Sequence, residues 1–198
     1  KKELSTIHKI AKQNKIEVIR LGFDLNKFKE NQKEKRNSFR QKWLIEDDEI
    51  AIGIIGRLVP IKNHHFFLNA VKRVSEITTK KVRFIIIGDG ELRDELENYC
   101  NQLEIDFSTE KNATNALLTF TSWITDIDVA LAGLDIVALT SKNEGTPVSL
   151  IEAQAAGKPI VTTNVGGIEN IVIPNETALL SDIHDEQLFT ENMLSLIE

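Results

Sequence analysis

The stretch IAIGIIGRLVPIKNHHFFLNAVKRVSEITTKKVRFIIIG, residues 50–88, decides the fold. It opens with residues 50–56, apolar on both faces and rich in isoleucine, and closes with residues 82–88 of the same character. Runs of this kind suit strands buried on both sides, the condition of a parallel sheet covered by helices. Between them, residues 63–77 form a helical pattern, so the stretch reads as a strand, a crossover helix and a second strand. The pattern continues outward in both directions. Strands are predicted at 17–21, 117–123, 134–140 and 159–164, and helices at 91–103, 126–132, 147–156, 167–173 and 185–197. Alternation of this length predicts an α/β domain with a doubly wound, Rossmann-like parallel sheet and right-handed crossovers.

Composition agrees with one globular domain. The 198 residues are 41% apolar, 27% charged and 6% aromatic, which excludes disordered, collagenous and disulfide-framework classes. No apolar run approaches the roughly 18 residues that span a bilayer, and the opening KKELSTIHKIAKQNK lacks the apolar core of a signal peptide. A single cysteine, Cys100, points to a reducing compartment, hence a cytoplasmic protein. Net charge is −6 but unevenly spread: residues 1–42 hold thirteen Lys/Arg against five Asp/Glu, and residues 43–198 hold eleven against twenty-five. Lysines at this density without interleaved aromatics coat solvated helix faces, and the acidic remainder would repel nucleic acid. The chain begins with Lys1 and its only methionine is Met193, so it reads as a piece of a longer polypeptide.

In doubly wound sheets ligands sit beyond the carboxyl ends of the strands, which directs attention to five loops: GRLVPIKN after Ile55, GDGE after Ile87, SWITD after Phe120, SKNEGTP after Leu139 and NVGG after Thr163. In the first, Gly56 lets a backbone approach a ligand, Arg57 offers a bidentate fork for phosphate oxygens and Lys62 adds a point charge just before a helix. Two cations at a strand-to-helix turn look like a diphosphate clamp. The phosphate-loop pattern G-x-x-x-x-G-K-S/T is missing, and the glycines at 53 and 56 lack dinucleotide-fingerprint spacing.

The fourth loop carries more. Thr146 is a good N-cap and Pro147 suits the first helical position, so a helix is predicted there with the amides of Val148 and Ser149 free to meet an anion. Glu152 lies about 7 to 8 Å up the axis at 1.5 Å per residue, near the ribose of a nucleotide whose phosphates rest on the helix end. Glu144, in the turn before the helix, is placed to hold a sugar hydroxyl close to those phosphates. The bland readings are that Glu144 complements the helix dipole and that Glu152 is a solvated helix position. Gly88, Gly90, Gly166 and Gly167 read as tight turns, with ligand lining by the first pair and backbone near the sugar for the second as the alternatives, and only one of the adjacent His64 and His65 can face the site. His8, His64, His65 and His184 lack metal-ligand spacing, so no metal site is predicted.

Taken in order, GRLVPIKN, IIIGDGELRDELE, FTSWITD and LDIVALTSKNEGTPVSLIEAQAAGKPIVTTNVGGIENIV resemble the C-terminal, donor-binding half of a GT-B fold glycosyltransferase of family 4, the glycosyl transferases group 1. The resemblance covers about residues 16–180. It implies that Glu144 and Glu152 form the family's E-x7-E pair, with Glu152 on the ribose hydroxyls and Glu144 on the donor sugar. Arg57 and Lys62 would neutralise the donor diphosphate, and Trp123 and Ile124 would line the base pocket, largely through backbone. Two departures stand out: many members carry glycine where this chain has Pro147, and glycine is frequent at the position of Ser122.

The function implied is retaining transfer of a sugar from a nucleoside diphosphate sugar to a glycan or lipid-linked acceptor, in polysaccharide or lipopolysaccharide synthesis, without a cofactor or required metal. The family's acceptor domain has no room in this chain. Residues 1–15 would be an interdomain helix remnant, residues 16–198 the donor domain, and the domain alone would turn over little. A lipid-linked acceptor would place it at the inner face of the membrane, with peripheral contact. A nucleotide-sugar epimerase or phosphorylase of the same fold, and a non-catalytic nucleotide-binding module, are the alternatives.

Overall fold

The structure, a computed structural model, describes residues 2–17 and 22–198. After a short helix α1 (Lys2–Thr6) and a basic helix α2 (Gln32–Lys42), the chain alternates through β1 (Ile50–Ile55), α3 (His64–Ile77), β2 (Val82–Ile87), α4 (Arg93–Gln102), β3 (Phe107–Thr109), β4 (Leu118–Phe120), α5 (Ile127–Gly133), β5 (Ile136–Leu139), α6 (Val148–Ala155), β6 (Ile160–Thr163), β7 (Ala178–Ser181) and α7 (Glu186–Ile197). The seven strands form one sheet in the order β3-β4-β2-β1-β5-β6-β7. Every pairing is parallel, from Ile50 opposite Val82 and Ile52 opposite Ile136 out to Val161 opposite Leu179. The doubly wound expectation is met. Winding direction reverses between β1 and β5, which opens a crevice at their carboxyl ends.

Alternation along each strand feeds two cores. Ile52, Ile54, Phe84, Ile86, Ile136 and Ala138 pack with Phe66, Leu96, Phe189 and Met193 of α3, α4 and α7. Ala51, Ile55, Ile85, Ile87, Val137 and Leu139 pack on the opposite face with Phe39, Leu131 and Leu150 of α2, α5 and α6. This two-sided burial is why the central strands are apolar at nearly every position.

The basic helix α2 is not wholly a solvated face. Arg40 turns inward and is buried, donating to the carbonyls of Gly133 (3.1 Å), Glu46 (2.7 Å) and Glu49 (3.1 Å) and to Asp135 Oδ2 (2.5 Å). Asp135 also accepts from Arg36 Nη1 and from the amide of Ala51, both at 2.8 Å, so one carboxylate pins α2 to the start of β1.

Several boundaries differ from the sequence reading. The strand expected at 17–21 falls, apart from the irregular Glu17, outside the described residues. The helix expected at 167–173 is only a 3-10 turn, Ile168–Asn170. Gly166 occupies the left-handed region at its start (φ 54°), and Pro174 disfavours helical geometry at Ile173, so one turn is all that fits. Strands β3 and β7 are absent from the sequence reading: each has only three or four residues, of mixed polarity, too short to show an alternating pattern. The strand expected at 117–123 stops at Phe120 because Ser122 turns the chain with φ 58°.

Candidate functional site

Two strand ends at the crevice bring together residues 82 apart in sequence. Lys62 closes the loop after β1 and Glu144 lies in the loop after β5, and Lys62 Nζ donates to Glu144 Oε1 at 2.6 Å. Ser141 Oγ donates to the same oxygen, also at 2.6 Å. The backbone beneath is tied as firmly: Thr140 Oγ1 faces the carbonyls of Lys62 and Asn63 at 3.0 and 3.1 Å, and the amide of Lys142 donates to the carbonyl of Ile61 at 2.8 Å. Gly56 lies next to Lys62, and a Cβ there would stand 3.6 Å from Lys62 Cε, an ordinary contact that the lysine tolerates.

The loop after β6 backs Glu144 from the other side. The amide of Gly167 donates to the carbonyl of Glu144 at 2.8 Å. A Cβ on Gly166 would lie 2.0 Å from the Glu144 carbonyl oxygen, and one on Gly167 would lie 1.8 Å from that of Gly145. The glycine pair therefore does more than turn the chain: it permits two loops to lie backbone against backbone, and Gly166 also needs its positive φ. Gly88 plays the same part on the neighbouring side, with φ 140° and an added Cβ only 2.0 Å from the carbonyl oxygen of Gly56.

Helix α6 follows directly, but it begins one residue later than the sequence suggested. Pro147 is extended (φ −72°, ψ 97°) and occupies the N-cap position, and the exposed Thr146 makes no capping bond. Proline without an N–H terminates the loop, and its carbonyl accepts from Leu150 at 3.1 Å. The amides of Val148 and Ser149 still lie in the first turn, where a helix has no internal acceptor for them. The carboxylate of Glu152, half-buried one turn further on, has no hydrogen-bond or ion-pair partner among the described residues. Burial raises its carboxyl above the usual glutamate range; Lys27 draws it back and Asp128 adds to the rise. The two glutamates thus differ in kind: Glu144 is held on one oxygen, whereas Glu152 is free.

The remaining predicted residues are less assembled. Arg57 is exposed and has no side-chain partner among the described residues. Trp123 is 61% exposed, and Ile124 packs against the core on the α2, α5 and α6 face. Next to them Ser122 adopts the left-handed conformation that explains a frequent glycine there, and its hydroxyl donates to Asp89 Oδ2 at 2.7 Å. That bond, ahead of the Gly90 amide and Arg93, holds the Asp89 carboxyl below the ordinary aspartate range. Of the two histidines, His65 turns away to Glu95 (3.1 Å) and stacks edge-on with Tyr99. His64 is fully buried with neither ring nitrogen partnered, and burial, then the charges of Lys62 and His65, push its pKa down to about 4. A cavity of about 510 Å³ beside the cluster, lined in part by Asn63, His65, Asn69, Lys142 and Glu186, includes neither Glu144 nor Glu152. Among the described residues no group of three or more His, Cys, Asp or Glu could hold a metal ion.

Ser141, Gly166 and Gly167 complete the cluster; the sequence reading gives the glycines as a strand-to-helix turn, with backbone near the sugar as the alternative, and Ser141 no role. The glycine pair at a strand end was the available signal; the hydroxyl had none, because its partner is fixed only by the folded loop.

The model of the glycosyl transferases group 1 matches residues 35–198. The chain belongs to this family. The group 1 domain is 32% identical over 197 residues to the UDP-Gal:alpha-D-GlcNAc-diphosphoundecaprenol alpha-1,3-galactosyltransferase of Escherichia coli, a match covering 93% of this chain and 46% of the relative. It superimposes on HepE of Anabaena, in a structure with UDP and glucose, with a TM-score of 0.81, 24% identity, and coverage of 99% of this chain and 51% of that one. It also matches the C-terminal domain of the group 1 protein LpcC from Francisella tularensis, with a TM-score of 0.67, 23% identity, and coverage of 89% and 88%. These two likenesses concern the fold, a GT-B half. The chain spans between 39% and 46% of the length of the curated relatives it matches.

Proposed function

We propose that this domain binds a nucleoside diphosphate sugar and serves a glycosyltransferase that moves the sugar to a glycan or lipid-linked acceptor. The observation that carries the reading is the meeting of Lys62 with Glu144 at the carboxyl ends of β1 and β5, beside the open first turn of α6. A cation and a helix N-terminus suit the diphosphate of such a donor, and two carboxylates of different availability suit the groups on either side of it, the ribose and the sugar.

In this reading Lys62, Arg57 and the amides of Val148 and Ser149 stabilise the negative charge that grows on the leaving diphosphate, and no resident metal or cofactor is assigned to that task. Glu152 takes the ribose hydroxyls, Glu144 a hydroxyl of the sugar, the loop carrying Gly56 lies against the phosphates and the loop carrying Trp123 and Ile124 lines the base. Uracil is the assigned base, because the Escherichia coli relative is named for UDP-Gal and HepE was crystallised with UDP. The acceptor is assigned to a second domain outside these 198 residues. Among the described residues no helix is long and apolar enough to cross a membrane; a cytoplasmic position, at the inner face where the acceptor is lipid-linked, is part of the proposal.

Product analysis tests it. The full-length protein that carries this domain, incubated with UDP-galactose or UDP-glucose and a sugar-diphosphate-polyprenol, should yield an elongated acceptor and UDP, including in the presence of EDTA. Isomerised donor in place of an elongated acceptor would identify an epimerase and overturn the proposal.

A further inference from the structure

We infer that Ser141 is a positioning residue that fixes the Glu144 carboxylate through Oε1 and thereby presents Oε2 to a hydroxyl of the donor sugar. The inference rests on the donor-site reading above and adds to it the group that aims the carboxylate. Ser141 is fully buried at the end of β5, and its own carbonyl is held by Thr163 Oγ1 at 2.7 Å. Its hydroxyl therefore points from a fixed backbone, and its 2.6 Å bond ends on Glu144 Oε1. Lys62 Nζ reaches the same oxygen. No described residue bonds Oε2, and the Glu144 side chain keeps 10% of its surface exposed, which leaves that oxygen for a ligand.

The two donors on Oε1 are not equivalent. Lys62 is a point charge on a flexible stem, and the diphosphate competes for it. Once Nζ turns toward phosphate, only the Ser141 hydroxyl keeps the carboxylate oriented. A neutral hydroxyl does this without cancelling the charge, so Oε2 remains a strong acceptor for a sugar hydroxyl. The backing of Gly166 and Gly167 blocks retreat of the main chain, which leaves side-chain rotation as the remaining freedom, and Ser141 removes it.

The test compares affinities for UDP, UDP-glucose and UDP-galactose in the unmodified chain and in Ser141→Ala, Ser141→Cys and Ser141→Thr, with thermal unfolding as a control on the fold. Positioning predicts that Ser141→Ala and Ser141→Cys bind UDP within about twofold of the unmodified chain but lose about tenfold in the extra affinity contributed by the hexose. Ser141→Thr, which keeps the hydroxyl, restores that increment. An unchanged ratio of UDP-hexose to UDP affinity in folded Ser141→Ala or Ser141→Cys overturns the inference. So does an unmodified chain that binds UDP and gains nothing from either hexose, an outcome that leaves the donor-site reading standing. Absence of UDP binding to the unmodified chain removes that reading, and the inference with it.

Discussion

Replacing Gly166 by alanine should damage the site far more than it damages the fold, and the reason can be followed atom by atom. Gly166 has φ 54°, a left-handed conformation that costs a residue with a Cβ about 1 to 2 kcal/mol. The new Cβ would begin 2.0 Å from the Glu144 carbonyl oxygen, so reaching an ordinary 3.4 Å contact requires the Glu144 backbone to retreat by about 1.4 Å. That retreat breaks the 2.8 Å bond from the Gly167 amide, worth about 1 kcal/mol. Together these give a loss of about 2 to 3 kcal/mol, or roughly 4 to 12 °C in Tm at 2 to 4 °C per kcal/mol. A catalytic or binding group moved by about 1 Å can lose up to about a hundredfold, so UDP-hexose affinity should fall at least about tenfold while circular dichroism stays native. Gly157→Ala is the control: Gly157 also has a positive φ, 69°, but nothing lies within 4 Å of its added Cβ. It should show the backbone strain and none of the binding loss. Undiminished UDP-hexose binding in folded Gly166→Ala, or an equal loss in Gly157→Ala, would refute the claim that the β6 loop sets Glu144.

Three other consequences are open to measurement. Arg40→Ala breaks a buried pair with Asp135 and removes the side-chain donor of the Gly133 and Glu49 carbonyls, so denaturant unfolding should show a loss of about 3 kcal/mol or more, with α2 among the first elements to exchange its amides; a loss below about 1 kcal/mol would mean that α2 is not anchored there. His64 has a folded pKa of about 4, below the 6.5 of an unconstrained histidine, so the unfolded chain binds the extra proton first. Its contribution is complete above pH 6.5 and drains away as pH falls toward 4, by about 3 kcal/mol in all; the stability profile of His64→Phe should lack this component, and superimposable profiles would contradict the burial argument. Burial pushes the Cys100 thiol up to about 12, so a chromogenic disulfide reagent at pH 8 should react only as fast as the chain unfolds, and prompt labelling of native protein would be the contrary result.

Much of the architecture was legible because burial on both faces leaves so plain a mark. Ile50–Ile55 is apolar without interruption and Val82–Ile87 is so apart from Arg83, and their helices carry the complementary stripes, so β1, β2, α3 and the winding pattern follow from the sequence alone. Short edge strands such as β3 and β7 were hidden because three or four residues of mixed polarity acquire extended geometry only by pairing with β4 and β6. Within the site, Lys62 and Glu144 were predicted to share one ligand, and their direct ion pair is consistent with it. The proline at 147 misled by one position, since a residue that favours the first helical turn is also at home in the extended cap before it. Ser141 was silent for a different reason. A serine after a strand is unremarkable until the loop folds back and delivers a carboxylate to its hydroxyl.

The central claim is a donor site assembled from the loops after β1 and β5, and calorimetric titration with UDP, GDP and ADP addresses it most directly. The account predicts that UDP binds in preference to GDP and ADP, and that Lys62→Ala and Glu152→Ala each weaken it at least about tenfold, as expected for loss of a charge-assisted contact. UDP binding left intact by both substitutions, or a failure of all three nucleotides to bind, would contradict it.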